Sequence, residues 1–499
     1  MGIIQKDALR TTLISYFGLI FGYLNKGVLF LLFFLPEQIG LVNLLLSVGL
    51  LFGQLSNFGF INTVWRFFPF FRNERGGNFG FLIFALKKVF LGCLFFSILL
   101  ILLKNEISSF YIEKSASFVN YYFWVIPIGI ANVLFLILET YLRGIHKNIL
   151  PVFANEFLHR LLLTLLLFLF GFNYISFKAF VILFSLSFFI PTFILIAYLL
   201  KLNELKIGKL KTPIPKKLRN IMYTYSTFSY MSTLGVTVVI TIDAMMIASF
   251  LGLGATGIYT TVLYFISAMQ IPIKSTYRIS MSLVSKYWKS KDMVQMDNLY
   301  KKTSSISLII FSYSFLLILV NSDLLISFIP KEFKIGVYTF YILMIGKWVD
   351  VYLGINGIIF TSSKKYKYDI LFTVFLLASV FTLNLFLIPL YGIAGAAIST
   401  SLALIIYNVG RLLIVWKLYK LHPFEINQLY VFLLFIVILF IFQVINCLHL
   451  NRYLQIVFNT LLSSLLYFGL IIKFKWNEDL NVYLNKIFLK LFKKDLRLS

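Results

Sequence analysis

The chain has 499 residues, 60% of them hydrophobic and 13% charged, with a mean hydropathy of +0.90. Soluble domains run at roughly 45–50% apolar and about 25% charged, so a soluble enzyme or a string of soluble domains is excluded. Lysine and arginine total 45 against 19 acidic residues, a net charge of +26. In a chain this apolar, the first question is whether those cations sort to one side of a bilayer.

A hydrocarbon core is roughly 30 Å thick and takes about 20 helical residues to cross. Strands do not fit these apolar runs, because a lipid-facing backbone must satisfy its own hydrogen bonds. The pattern predicts an all-α polytopic membrane protein with about fourteen helices. They fall at roughly 11–34, 40–64, 81–104, 118–142, 150–172, 176–202, 221–250, 255–277, 303–322, 337–361, 368–390, 392–416, 427–447 and 453–472. The first run, Thr11–Phe34, is too long for a cleavable signal and has no cleavage-site pattern. Cys93 and Cys447 both sit in apolar segments, with no CxxC and no Cys/His cluster to suggest a disulfide scaffold or zinc site.

The cations test the helix count. With the N-terminus inside, the helices alternating and cations near a helix end counted with the adjoining segment, 36 of the 45 basic residues fall on inner segments and six on outer ones. Three, Lys26, Arg160 and Lys347, lie deep within spans. That bias is what the positive-inside rule predicts, and one miscounted helix would scramble it. Both termini are therefore expected in the cytoplasm. The net charge reads as topology and attraction to anionic membrane lipid, not as nucleic-acid binding. After the last span, Leu484, Ile487, Phe488, Leu491 and Phe492 follow helical spacing opposite Lys486, Lys490, Lys493 and Lys494. This reads as an interfacial amphipathic helix on the inner leaflet.

Shifted by 217 positions, the chain matches itself without a gap. Gly40 falls on Gly257, Leu99-Leu100-Ile101-Leu102 on Leu316-Leu317-Ile318-Leu319, Ile128-Gly129 on Ile345-Gly346, Lys147 on Lys364 and Tyr174 on Tyr391. The expected organisation is an N-terminal lobe of six helices (1–202), an inner connecting loop (203–220) and a C-terminal lobe of six helices (221–420). Two appended helices (421–473) and the basic tail (474–499) follow. An even number of spans per lobe makes the repeat parallel, about an axis along the membrane normal, with a substrate path between the lobes.

Ionisable groups inside spans cost several kcal/mol, roughly 2.5–3.5 even on the lenient insertion scale, and are functional candidates. Lys26, in the first helix, coincides with Asp243 in the seventh under the 217 shift. The pair reads either as a pathway or as a packing ion pair. Glu156 and Arg160 in the fifth helix share a face, as do Lys347 and Asp350 in the tenth. Arg160 and Lys347 are available to an anion, while Glu156, Asp243 and Asp350 suit coupling or gating. Arg66, Arg143, Lys274 and Arg278 stand at inner helix ends, where arginine's planar fork suits phosphate. No GxxxxGK[ST], paired-carboxylate loop or Ser/His/Asp set occurs, so neither an ATPase nor a catalytic site is indicated, and no cofactor is expected.

Four stretches carry a family resemblance. They are Leu35-Pro36-Glu37-Gln38-Ile39-Gly40, continuing to Gly59 and Arg66-Phe67-Phe68-Pro69; Asp243 with Gly252-Leu253-Gly254-Ala255-Thr256-Gly257-Ile258-Tyr259; Pro272; and Ile388-Pro389-Leu390-Tyr391-Gly392-Ile393-Ala394-Gly395-Ala396-Ala397. In order and spacing the chain resembles the polysaccharide flippase branch of the multidrug/oligosaccharidyl-lipid/polysaccharide exporter superfamily. The resemblance implies alternating access by two lobes in a bacterial inner membrane. It implies a polyprenyl-diphosphate-linked glycan as cargo, moved from the cytoplasmic to the outer leaflet for cell-surface polysaccharide such as O-antigen or lipopolysaccharide. A coupling cation, H+ or Na+, and other polysaccharide-assembly membrane proteins are the implied partners. A cation-coupled multidrug exporter of the same fold is the alternative, but Lys26 in the first helix would repel a cationic drug. A membrane polymerase or ligase is disfavoured by the short outer loops.

Overall fold

The computed structural model describes residues 3–72, 80–205, 215–365, 367–445, 451–478 and 481–482. Among them every regular element is a helix. Twelve helices are long and apolar enough to cross a membrane, and a thirteenth is added if the pair Gly336–Leu353 and Ile355–Thr361, bent by 48°, is one span. In chain order the segments are α1 (Arg10–Phe33), α2 (Pro36–Ser56), α3 (Phe81–Leu102), α4 (Ala116–Gly144), α5 (Ile149–Gly171), α6 (Phe177–Lys201), α7 (Lys216–Phe250) and α8 (Leu253–Met269). They continue with α9 (Met293–Val320), the bent α10 (Gly336–Leu353 with Ile355–Thr361), α11 (Leu371–Tyr391), α12 (Ile393–Tyr419), α13 (Ile426–Ile445) and α14 (Tyr453–Lys473). Each falls on the expected helix of the same rank. The protein is a multi-pass membrane protein. The amphipathic stretch Leu484–Phe492, residues 206–214 of the connecting loop and Cys447 lie outside the described residues.

Two breaks depart from the expected spans. The helix expected at 40–64 stops at Ser56 and resumes as Phe60–Phe71. Gly59 at the elbow has φ +76°, and its N–H is taken by Asn57 Oδ1 at 2.6 Å. Left-handed backbone of this kind suits glycine. The helix expected at 255–277 ends at Met269. α8 has 17 residues, and a new helix, Ile271–Ser290, starts with Pro272 in its first turn. Proline is tolerated there because the missing N–H would have had no helical acceptor.

By packing, the chain divides into two compact units: Met1–Tyr264 with Val380–Ala396, and Phe265–Ser379 with Ala397–Ser499. In the first unit α2 packs on α4 through glycines. A Cβ on Gly49 would meet the Ile128 side chain at 2.7 Å, and one on Gly129 would meet Phe52 at 2.2 Å. Small residues let membrane helices approach where lipid offers no hydrophobic drive. A backbone-to-backbone contact joins α2 to α8. A Cβ on Gly40 would lie 1.8 Å from the Leu253 carbonyl oxygen, and one on Gly257 would lie 1.9 Å from that of Pro36. Pro36 and Leu253 are 217 apart, as are Gly40 and Gly257. The contact is reciprocal, each partner presenting the same patch to the other, as at a twofold axis.

In the second unit Val284, Met296, Tyr300, Leu353, Ile359, Phe360 and Val415 form a buried core. The bend of α10 at Gly354 leaves helix carbonyls to be satisfied. Tyr277 OH donates to the Val351 carbonyl at 2.7 Å, Tyr300 OH to that of Leu353 at 3.4 Å and Trp288 Nε1 to that of Ile359 at 3.1 Å. Side-chain donors of this kind make a broken span tolerable in lipid.

Candidate functional site: charged clusters within the spans

The first unit holds a basic cluster where α1 meets α5. Each helix carries one π-turn, Leu24–Leu29 in α1 and Phe153–Leu158 in α5. Such wide turns recur at functional sites. The extra residue lets neighbouring side chains serve different partners. Asn25 is buried, donates through Nδ2 to the Arg160 carbonyl at 2.8 Å and accepts at Oδ1 from Thr164 at 2.7 Å. Lys26 instead donates to Asn43 Oδ1 on α2 at 3.5 Å and stands 5.7 Å from the Tyr264 ring centroid on α8.

Arg160 pairs with Glu156 one turn earlier, and its Nη1 donates to the Gly18 carbonyl at 2.8 Å. A Cβ on Gly22 would come 2.9 Å from Arg160 Nη1, so the absent side chain makes room for the guanidinium. The Arg160 and Glu156 side chains remain 29% and 35% accessible. Two cations and one carboxylate leave this cluster net basic.

Asp243, on α7, is buried. It accepts from Tyr259 OH at 2.6 Å and from Asn384 Nδ2 at 2.8 Å. Asn384 is fully buried, and its Oδ1 has no hydrogen-bond donor among the described residues. Carboxylate and amide oxygens are therefore gathered out of water. Although the 217 shift aligns Lys26 with Asp243, each sits in its own set of partners. Of the cations expected at inner helix ends, Arg66 is exposed with its guanidinium 4.3 Å from the Tyr225 ring centroid, and Arg143 pairs with Glu139 at 2.5 Å.

In the second unit Lys347 pairs with Asp350 at 3.4 Å, and Asp350 also accepts from Asn408 Nδ2 at 2.9 Å. Lys274 and Arg278 are exposed on the helix Ile271–Ser290. Glu156–Arg160 and Lys347–Asp350 therefore form the pairs their spacing suggested.

Solved structures share this architecture. The lipid II flippase MurJ, in its inward closed conformation, matches with a TM-score of 0.73 and 15% identity, over 93% of this chain and 99% of that one. An inward-facing multidrug resistance MATE family transporter of the MOP superfamily matches with a TM-score of 0.62 and 11% identity, over 83% and 98%. The outward-facing conformation of a MATE family transporter gives 0.52 and 12%, over 84% and 96%. The chain has the fold of these flippase and transporter structures. No family model and no curated protein matches the sequence itself. Within such a fold the cargo is decided by the side chains of the site, since one fold hosts many functions.

One ion pair is not visible from helical spacing. Arg411, one of the 36 basic residues that the sequence assigns to inner segments, is buried in α12, pairs with Asp369 and stacks its guanidinium 4.1 Å from the Tyr407 ring centroid. Its signal was available. Asp369 is an acid in a basic segment, two residues after Lys367.

Proposed function

We propose that the protein is a flippase that carries a polyprenyl-diphosphate-linked oligosaccharide from the cytoplasmic to the outer leaflet of a bacterial inner membrane by alternating access. Cell-surface polysaccharide synthesis is the process it serves. The observation that supports this best is the net-basic Lys26–Arg160–Glu156 cluster inside spans of a MOP fold. A diphosphate is a dense anion, and charge-assisted bonds from lysine and arginine are the strong ones available to hold it. The prenyl tail stays in lipid while the headgroup crosses. Arg66, Arg143, Lys274, Arg278 and Lys347 are further candidates along that route. The bias of 36 basic residues to six supports cytoplasmic termini. Deleting the gene, in a strain without a second flippase, is expected to trap lipid-linked repeat units on the inner leaflet. Normal delivery in that strain overturns the proposal.

A cation-coupled multidrug exporter is the second reading, supported by the likeness to MATE transporters. It predicts drug hypersensitivity of the same deletion strain, which the flippase reading does not.

Without an ATP-binding motif, the drive is a gradient. Asp243 is the candidate coupling residue, because a carboxylate beside an amide oxygen suits a proton or a hard cation such as Na+. Asp243→Asn keeps the shape and removes the charge. It is expected to abolish any stabilisation of the purified protein by Na+ over K+, or by low pH, measured as thermal unfolding. An unchanged ion response in Asp243→Asn removes Asp243 from that role.

A further inference from the structure

A groove of about 580 Å³ lies in the second unit between α10 and α13. Four stretches of chain wall it: Leu308 from α9, Trp348 and Tyr352 from α10, Phe424 and Glu425 from the connection before α13, and Phe432 from α13 itself. Its size falls within the roughly 300–1,000 Å³ of sites that hold a small molecule. The walls are held by ring contacts. Trp348 meets Phe315, Phe432 and Phe435 with centroids 6.0, 5.4 and 4.9 Å apart, and Tyr352 meets Phe424 at 6.2 Å.

The polar groups of the groove select by sign of charge. Gln428 is buried and turned inward. Its Oε1 accepts from Tyr352 OH at 2.7 Å and from the Glu425 N–H at 3.1 Å, and its Nε2 donates to the Pro423 carbonyl at 2.8 Å. The Trp348 Nε1 is buried as well. Phenol, amide and indole are thus turned away from an anion in the groove. Glu425 differs. It is exposed, and among the described residues it has no ion-pair partner, in a chain with 45 basic residues against 19 acidic ones. His422, three residues earlier, stacks on Phe424 at 6.2 Å instead. Aromatic faces also attract cations, so the carboxylate and the rings favour the same ligand charge.

The two ends of the groove differ in character. α13 begins at Ile426, and the straight part of α10 ends at Leu353. Glu425 and Tyr352 therefore stand at the ends of two spans, while Phe432 lies about 10 Å further along α13 at 1.5 Å per residue. Phe424, Ile426 and Leu429 are exposed beside the groove. A charged mouth at a span end and an apolar floor along the span match an amphiphile with a cationic head.

We propose that this groove binds an aminophospholipid such as phosphatidylethanolamine, with its ammonium at Glu425 beside the Tyr352 and Phe424 rings and one acyl chain running past Trp348 and Phe432. Lipid is the solvent along a span, and headgroups lie where spans end, so a lipid supplies the cation rather than a dissolved amine. A primary ammonium donates hydrogen bonds to a carboxylate. The quaternary head of phosphatidylcholine cannot, and phosphatidylglycerol would bring an anion to an anion. The bound lipid ties α13 to α10, whatever cargo the protein moves.

The test uses the full chain, stripped of lipid in mild detergent. Phosphatidylethanolamine, phosphatidylcholine and phosphatidylglycerol with the same chains, and phosphoethanolamine without chains, are added separately. Retained lipid is read by native mass spectrometry and stability by thermal unfolding. The expected result is phosphatidylethanolamine retained at least tenfold better than phosphatidylglycerol, with phosphatidylcholine between them. Phosphatidylethanolamine should raise the unfolding temperature, and phosphoethanolamine should not. Glu425→Gln removes the charge but keeps the backbone N–H that Gln428 accepts, and should bring phosphatidylethanolamine down to the phosphatidylglycerol level. Leu429→Trp, which fills the groove without changing charge, should lower phosphatidylethanolamine retention too and carries the test if the Gln variant fails to fold. Glu332→Gln, at an exposed carboxylate away from the groove, should leave retention unchanged. Phosphatidylglycerol or phosphatidylcholine retained as well as phosphatidylethanolamine, stabilisation by phosphoethanolamine alone, or undiminished phosphatidylethanolamine retention in both groove variants overturns the proposal.

Discussion

Replacing Gly40 or Gly257 by alanine is expected to lower stability by about 1–3 kcal/mol in either case, the range for overpacking a tight contact. The added Cβ would fall within 2 Å of a backbone carbonyl oxygen on the facing helix. A backbone cannot rotate aside as a side chain can, so the helices themselves must separate. Because the contact is reciprocal, the two substitutions should cost similar amounts. They should also be non-additive. Once one methyl has parted the helices, the second finds the space already open. A double-mutant cycle read by thermal unfolding in detergent should therefore show coupling of about 0.5–3 kcal/mol. Additive effects, or two silent single substitutions, would mean that α2 and α8 do not meet in this way.

Removing the Lys26 charge is the second large effect. Lys26→Gln retains a hydrogen-bond donor toward Asn43 but no cation. A hydrogen bond to a charged group contributes about 1.5–3 kcal/mol, so loss of the cation should slow headgroup transfer roughly ten- to hundredfold. Lys26→Arg should keep most of the rate. Arg160→Gln should impair transfer comparably and also destabilise the fold, since Arg160 holds both Glu156 and the Gly18 carbonyl. The two variants are thus separable. Gln at 26 should leave the unfolding temperature nearly unchanged, and Gln at 160 should lower it.

The membrane spans were legible because a 20-residue apolar run is imposed by the bilayer. Gly40 and Gly257, which the 217 offset sets on each other, meet in the structure. Close backbone approach admits only glycine on both sides. Finer features left no such mark. The π-turns at Leu24–Leu29 and Phe153–Leu158 each add a residue without altering composition, so spacing alone could not reveal that Asn25 and Lys26 face different partners. The elbow at Gly59 looked like part of a span, because Phe58, Phe60 and Ile61 continue the apolar run through it. Arg411 resembled an ordinary inner anchor, since its partner Asp369 is 42 residues away in the chain and is brought near only by packing. The pairs Glu156–Arg160 and Lys347–Asp350 lie one helical turn apart, and that is why they could be read directly.

The decisive measurement is transfer of a lipid-linked oligosaccharide across proteoliposomes containing the purified protein, scored by a reagent that reaches only the outer leaflet. Matched preparations carry the unaltered chain, Lys26→Arg and Lys26→Gln, with folding checked by thermal unfolding. Transfer by the first two, and at most a tenth of that rate in the folded Gln variant, is the predicted result. A folded Lys26→Gln protein that moves the headgroup as fast as the unaltered chain would contradict the proposal that a basic cluster inside the spans carries an acidic cargo.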